Sequence, residues 1–312
     1  MIKMNVVIEA INLTKYYGNF PAVRGVTFSV NEGEVFGFLG PNGAGKTTTI
    51  RMLTGVLKPT SGQVRVLGYD MTREPEKLKA RQRMGIVPEM ANPYIDLTAM
   101  QNLKLMGELY GLPKWEIEKR SIELLKLFEL YEKRNIKVRG FSKGMRQRLV
   151  LAMAMIADPE LYFLDEPTSG LDVISARIIK DIIRDEKKAG KTIFLTTHNM
   201  NDANELCERI GIIRKGKLVA IDTPEGLKRL TKEHLSVEVS LKPMMFDPSV
   251  LSSALRVERL GDKVKIYTND PDKTVKEIVE YAKERKLKIV SIRTLSPSLE
   301  DVFVEIIGGK ND

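Results

Sequence analysis

The stretch GPNGAGKT, residues 40–47, decides the fold. It fits G-x-x-x-x-G-K-[ST], follows the apolar run EVFGFL (34–39) and runs directly into TTTIRML (47–53). That is the strand, glycine loop and helix that a phosphate-binding loop requires. Its glycines let backbone N–H groups from Asn42, Gly43, Ala44, Gly45 and, at the helix start, Thr48 converge on phosphate oxygens, and the helix dipole favours the anion. Lys46 is expected to neutralise the β and γ phosphates and the Thr47 hydroxyl to ligate magnesium. The alternative is a glycine-rich turn with a chance lysine, which the flanking strand and helix argue against.

A magnesium nucleotide site also needs a carboxylate at the end of a neighbouring strand. LYFLDEP (161–167) supplies Asp165 after four apolar residues, and Asp165 is the expected metal contact. Glu166 beside it is placed to orient or deprotonate the attacking water, because phosphoryl transfer depends on positioning and electrostatics more than on covalent chemistry. Adjacent acids at a strand end otherwise serve as caps or ion-pair partners, and the phosphate loop tips the reading towards catalysis. His198 ends the strand TIFLTTH (192–198), where an imidazole reaches a γ-phosphate from the carboxyl edge of a parallel sheet.

Around these motifs, residues 6–17 and 22–30 read as strands, and helical spacing runs over 46–57 and 96–130. LYFLD, the helix VISARIIKDIIRDEKKAG (173–190), TIFLTTH and RIGIIRKGKLVAI (209–221) alternate as in a parallel sheet. Composition shifts near TPEGLKRLTKEH (223–234). Beyond it, LSVEVSL, DPSVLSSAL, RVERL, KVKIYT, TVKEIVEYAKERK and LKIVSIRT read as strand, helix, strand, strand, helix, strand, the split βαβ or ferredoxin-like order. A last amphipathic helix, SLEDVFVEII, follows (298–307). The expected fold class is an α/β phosphate-loop nucleoside-triphosphatase core with a helical subdomain, residues 1–228, plus a small α+β ferredoxin-like domain, residues 229–312.

With 312 residues, 43% hydrophobic and 29% charged, two globular domains are expected. The single cysteine, Cys207, excludes an intramolecular disulfide framework and suggests a reducing compartment. No apolar run reaches the roughly 18 residues of a membrane span. Glu9 comes too early for a signal peptide. The net charge of +9 permits an anionic partner, but the basic residues are spread along the chain, so no direct nucleic-acid contact is expected.

The phosphate loop, FSKGM (141–145), LDEP (164–167) and the strand-end histidine together resemble the nucleotide-binding subunit of an ABC transporter, over residues 5–228. The ending SPSLEDVFVEIIG (296–308) resembles the tail domain of daunorubicin-resistance-type ATP-binding subunits. The resemblance implies a cytoplasmic ATPase on the inner face of the cell membrane, with ATP and Mg2+ as cofactors. It implies a homodimer closing around two MgATP to drive a separately encoded membrane permease, expected to be an exporter. Tyr17, in KYYG, is then the residue that stacks on adenine. Ser142 and Gly144 belong to the family signature, which caps the ATP held by the phosphate loop of a second copy. SGLD (169–172), ending in Asp172, is the loop linking the two half-sites. Ser142 has the alternative of a plain helix N-cap.

Two motifs depart from the family. FSKGM stands for the usual LSGGQ and keeps the serine and second glycine, but Lys143 replaces the first glycine and Met145 the glutamine. Glu89, in GIVPEM, stands where the family has glutamine; a carboxylate still ligates magnesium but lacks the amide donor, and the alternative is a loop residue pointing to solvent or the permease. Tyr94 and Ile95 are expected either in a groove for a permease helix or in ordinary core packing. A rival function is a soluble ABC ATPase acting on nucleic acid or the ribosome. That reading ordinarily brings a long coiled-coil insert or a second cassette, and this sequence shows neither.

Overall fold

The computed structural model describes residues 5–90, 92–230, 235–243, 246–247 and 250–308. The chain divides into two compact units, Met1–Pro224 and Glu225–Asp312.

In the first unit, β1 (Val6–Tyr17), β2 (Phe20–Asn31), β4 (Ser61–Val66) and β5 (Tyr69–Asp70) make an antiparallel sheet in the order β2-β1-β4-β5. The second sheet is built from β3 (Val35–Leu39), β6 (Met84–Val87), β7 (Leu161–Asp165), β8 (Thr192–Thr197), β9 (Arg209–Arg214) and β10 (Lys217–Asp222). Its order is β10-β9-β3-β8-β7-β6, parallel throughout except for the antiparallel β9–β10 hairpin. Every residue of β3, β7 and β8 is buried. Such continuous apolar runs belong to parallel strands covered on both faces. Phe28, Phe36, Phe38, Phe163 and Phe194 pack with ring centroids 5.5 to 5.9 Å apart. These rings, with Ile8, Leu13 and Val64, form a core shared by the two sheets.

The helices are α1 (Lys46–Leu53), α2 (Glu74–Arg81), α3 (Ala99–Leu109), α4 (Lys114–Leu127), α5 (Lys143–Met155), α6 (Val173–Lys188) and α7 (Met200–Leu206). α1 stops four residues short of the expected end because Gly55 and Pro59 follow it. The helical segment 96–130 resolves into α3, started by a Thr98–Gln101 capping box, and α4.

In the second unit α8 (Pro224–Lys228) precedes β11 (Leu235–Lys242), β12 (Arg256–Leu260), β13 (Lys263–Thr268), α9 (Pro271–Glu284), β14 (Lys288–Leu295) and α10 (Leu299–Gly308). The antiparallel order β12-β13-β11-β14 is that of a split βαβ sheet. Val237, Val239 and Ile266 from the sheet pack with Ile278 and Tyr281 of α9. The helix expected over DPSVLSSAL is corrected. Pro248 and Ser249 lie outside the described residues, Val250 is in a 3-10 turn, and Ser252–Ser253 form a turn with no helix over residues 251–255. There Ser252 Oγ and the Ser253 N–H and Oγ bond the Glu277 carboxylate, at 2.5, 3.2 and 2.8 Å, instead of joining a helix.

Candidate functional site

The loop from β3 to α1 is set by backbone geometry. Gly45 occupies the N-cap of α1 at φ 109, a conformation L side chains rarely adopt, and it offers no side-chain cap. The first N–H groups of α1 are therefore left for an external acceptor. Tyr17, Asn42, Gly43, Gly45, Lys46, Thr47, Thr48, Glu89 and Glu166 line one cleft. Ala44 is instead buried beneath it, its carbonyl accepting from Gly216 N.

At the floor, Lys46 and Glu166 are each only 6% exposed, and Lys46 Nζ lies 3.1 Å from Glu166 Oε1. The ammonium also donates to the carbonyls of Gly40 and Pro41, at 2.7 and 3.3 Å. Glu166 Oε1 has no hydrogen-bond partner, so it faces Lys46 as an ion pair with lone pairs to spare. Glu166 Oε2 accepts from the His198 backbone N–H and meets His198 Nδ1 at 2.8 Å. β8 ends at Thr197, so His198 is the first residue beyond the strand, half exposed at its carboxyl end.

Glu166 sits at φ 51, uncommon for a residue with a side chain. Its N–H bonds both the carbonyl and the hydroxyl of Thr196, each at 3.1 Å. The Thr196 hydroxyl also donates to Asp165 Oδ1. Burial raises the Asp165 carboxyl above the usual aspartate range, and hydrogen bonds from Thr196 and Thr47 oppose that rise. Among the described residues no cluster of three or more acids, histidines or cysteines could hold a metal. Magnesium does not need one, since it is held by one or two carboxylates together with substrate phosphates and water. The donor set of Thr47, Asp165 and exposed Glu89 fits it.

Tyr17 is half exposed on the cleft rim, with Lys15 Nζ 5.6 Å from its ring centroid. Phe20, also exposed, lines the same rim. Sequence reasoning missed Phe20, although two exposed aromatics flanking a glycine turn were a usable signal. It also missed Thr196, whose place in TTH, one strand over from LDE, was the available clue.

Ser142, Gly144 and Asp172 do not line this cleft. Ser142 N-caps α5, accepting from Met145 N at 3.2 Å. Asp172 N-caps α6, and the Ser175 backbone bond holds its carboxyl below the usual range. The two caps adjoin, for a Cβ on Gly144 would stand 2.3 Å from Ser175 Oγ and 3.0 Å from Asp172 Oδ2. Lys143 Nζ donates to the Ser169 carbonyl at 3.0 Å, so its charge is turned onto the SGLD loop of its own chain. Met90, Tyr94 and Ile95 are largely exposed, and Asn102 clasps the Tyr94 backbone.

Comparison with known proteins agrees with this geometry. The sequence pattern of the ABC transporter family matches residues 23–169. The linearmycin resistance ATP-binding protein LnrL of Bacillus subtilis is 36% identical over 307 residues, covering 96% of this chain and 98% of that protein. A fluoroquinolones export ATP-binding protein of Mycobacterium tuberculosis is 39% identical over 292 residues, covering 92% and 88%. Among solved structures, a dimeric ATP-binding cassette in a post-hydrolysis state with ADP and Pi matches with a TM-score of 0.65. It is 28% identical and covers 69% of this chain and 98% of that one. The chain belongs to the ABC transporter family, as one of its ATP-binding chains.

Proposed function

We propose that this ATPase closes as a homodimer around two MgATP and drives export through a separately encoded membrane permease, working at the cytoplasmic face of the membrane. Relatives named for linearmycin resistance and fluoroquinolone export support the exporter reading over the nucleic-acid one. A solved cassette described as dimeric supports the dimer. No helix among the described residues is long and apolar enough to cross a membrane. Exposed Met90, Tyr94 and Ile95 are the surface assigned to the permease. Residues 229–312 form the accessory domain.

The observation that carries the chemistry is Glu166, with Oε1 held only by its ion pair to Lys46 and its other oxygen fixed by His198. The loop N–H groups and Lys46 bind the phosphates, while Tyr17 carries the adenine. Thr47, Asp165 and Glu89 would hold magnesium, which would supply neutralisation of the phosphate charge. Glu166 orients a water against the γ-phosphorus and draws off its proton as the bond to the β–γ bridging oxygen breaks, giving ADP and phosphate. His198 is bonded through Nδ1, which leaves Nε2 for the γ-phosphate. Ser142 and Gly144 act on the ATP held by the second copy, and Asp172 fixes the loop between the half-sites.

Purification of the tagged chain from detergent-solubilised membranes tests the coupling. A stoichiometric polytopic membrane protein is expected. Recovery with ribosomes or nucleic acid alone would overturn it.

A further inference from the structure

Glu166 and His198 touch each other directly, but a second set of contacts ties together the segments that carry them. Thr168, two residues after Glu166, donates from Oγ1 to Asp202 Oδ2 at 2.6 Å. Asp202 lies four residues after His198 on α7 and is 4% exposed. Its other oxygen takes the Lys180 ammonium of α6 at 2.6 Å. Lys180 also pairs with Glu205 at 2.7 Å, and Arg184 reaches the same glutamate. Asn199 caps α7 by accepting from the N–H groups of Asn201 and Asp202. The loop after Glu166 is therefore bound to the helix after His198 through one buried carboxylate.

Glu166 needs such a hold. A side chain at φ 51 persists only where the surroundings over-determine it. On its N-terminal side Thr196 supplies the bonds. On its C-terminal side the chain turns at once, with Ser169 N bonding the Glu166 carbonyl. Thr168 is the residue of that turn whose side chain bonds α7. Its bond to Asp202 is charge-assisted and part-buried, with Asp202 itself 4% exposed, which makes it stronger and more directional than a surface contact.

We propose that Asp202 is a positioning residue for hydrolysis: through Thr168 it keeps Glu166 in register with His198, and Lys180 keeps Asp202 itself in place. This inference rests on the assignment of Glu166 and His198 to the hydrolytic step. Misplacement of a reacting group by about 1 Å costs up to about a hundredfold in rate, whereas ATP is held by the phosphate loop on α1. The loss belongs in kcat and not in ATP affinity.

The experiment compares steady-state ATP hydrolysis and ATP binding by the full chain and its variants. Thr168→Val removes the hydroxyl at constant shape and Asp202→Ala removes the carboxylate. Each is expected to lower kcat about tenfold with KM for ATP within about twofold. The double variant is expected to fall no further than the worse single, because both break one bond. Thr168→Ser, which restores the hydroxyl, is expected to recover most of the rate. Multiplying losses in the double variant, Thr168→Ser as impaired as Thr168→Val, or a kcat unchanged in both singles would each overturn the proposal. If Asp202→Ala fails to fold, the Thr168 pair decides alone. Failure of the underlying assignment reads differently, as near-normal hydrolysis by Glu166→Gln whatever stands at residue 168.

Discussion

The Lys46 ammonium lies 3.1 Å from the Glu166 carboxylate, with both side chains more than nine-tenths buried. In the proposed mechanism the lysine assigned to the phosphates thus also neutralises the glutamate assigned to the water. A γ-phosphate is expected to compete for Lys46 and release Glu166 Oε1.

Removing one partner of a buried pair leaves the other charge uncompensated, typically at about 3–5 kcal/mol. Lys46 keeps two carbonyl partners, so the cost here belongs at the lower end. Glu166→Gln is therefore expected to melt several degrees below the parent without nucleotide, and MgATP is expected to raise its Tm by more than it raises the parent's. In kinetics the same variant keeps ATP binding and loses at least about a hundredfold in turnover, the scale of positioned acid–base assistance. Differential scanning calorimetry with and without MgATP, alongside steady-state hydrolysis, checks both.

Asp165 predicts a pH dependence of stability. Its folded pKa is raised by burial, so the folded chain takes up that proton before the unfolded chain does as pH falls. The ionised carboxylate costs stability at neutral pH, and the cost disappears as pH falls through the raised value to below the ordinary aspartate range. Asp165→Asn is expected to raise Tm at pH 7.5 without magnesium, with the gain shrinking steadily in acid, while magnesium-dependent hydrolysis is lost. A Tm difference independent of pH would reject the burial argument.

The parts of the fold that rest on unbroken apolar runs were legible in the sequence. β3, β7 and β8 are buried along their whole length; β7 ends at Asp165, β8 stops one residue before His198, and β3 leads into the phosphate loop. β4 escaped notice because only Val64 and Val66 of SGQVRV are buried, too few to outweigh its polar residues. DPSVLSSAL misled because Val250, Leu251 and Leu255 have helical spacing, while the serines that break the helix do so through Glu277, more than twenty residues away. Glu166 and His198, the proposed catalytic pair, were legible as residues at two strand ends. The Thr168–Asp202 link was not, since it joins the segments beyond those strand ends.

Glu89 is exposed and shares the cleft with Lys46, Thr47 and Glu166. A carboxylate there adds negative charge that a metal offsets and bare phosphate does not. Glu89→Gln has the same length without the charge. It is expected to weaken the magnesium dependence of hydrolysis and leave metal-free ATP binding unchanged or slightly tighter. Matched magnesium titrations at saturating ATP check this, and superimposable curves would remove Glu89 from the metal site.

Gly144 is pressed against the cap of α6, where a Cβ would meet Ser175 Oγ at 2.3 Å. Gly144→Ala is expected to destabilise the folded chain by about 1–3 kcal/mol, the usual cost of overpacking. Ser175→Ala removes the obstructing hydroxyl and is expected to recover part of that loss in the double variant. Urea denaturation of the four chains measures the coupling, and strictly additive changes would mean that α5 and α6 do not pack as described.

The central claim is that a second copy completes each ATP site, with Ser142 supplied across the interface. Light scattering of Glu166→Gln, with and without MgATP, tests it most directly, because slow hydrolysis preserves the closed state. The mass is expected to double with MgATP, and Ser142→Arg in the same background is expected to abolish the shift while ATP binding persists. A mass that stays monomeric in saturating MgATP, or a dimer indifferent to Ser142→Arg, would contradict it.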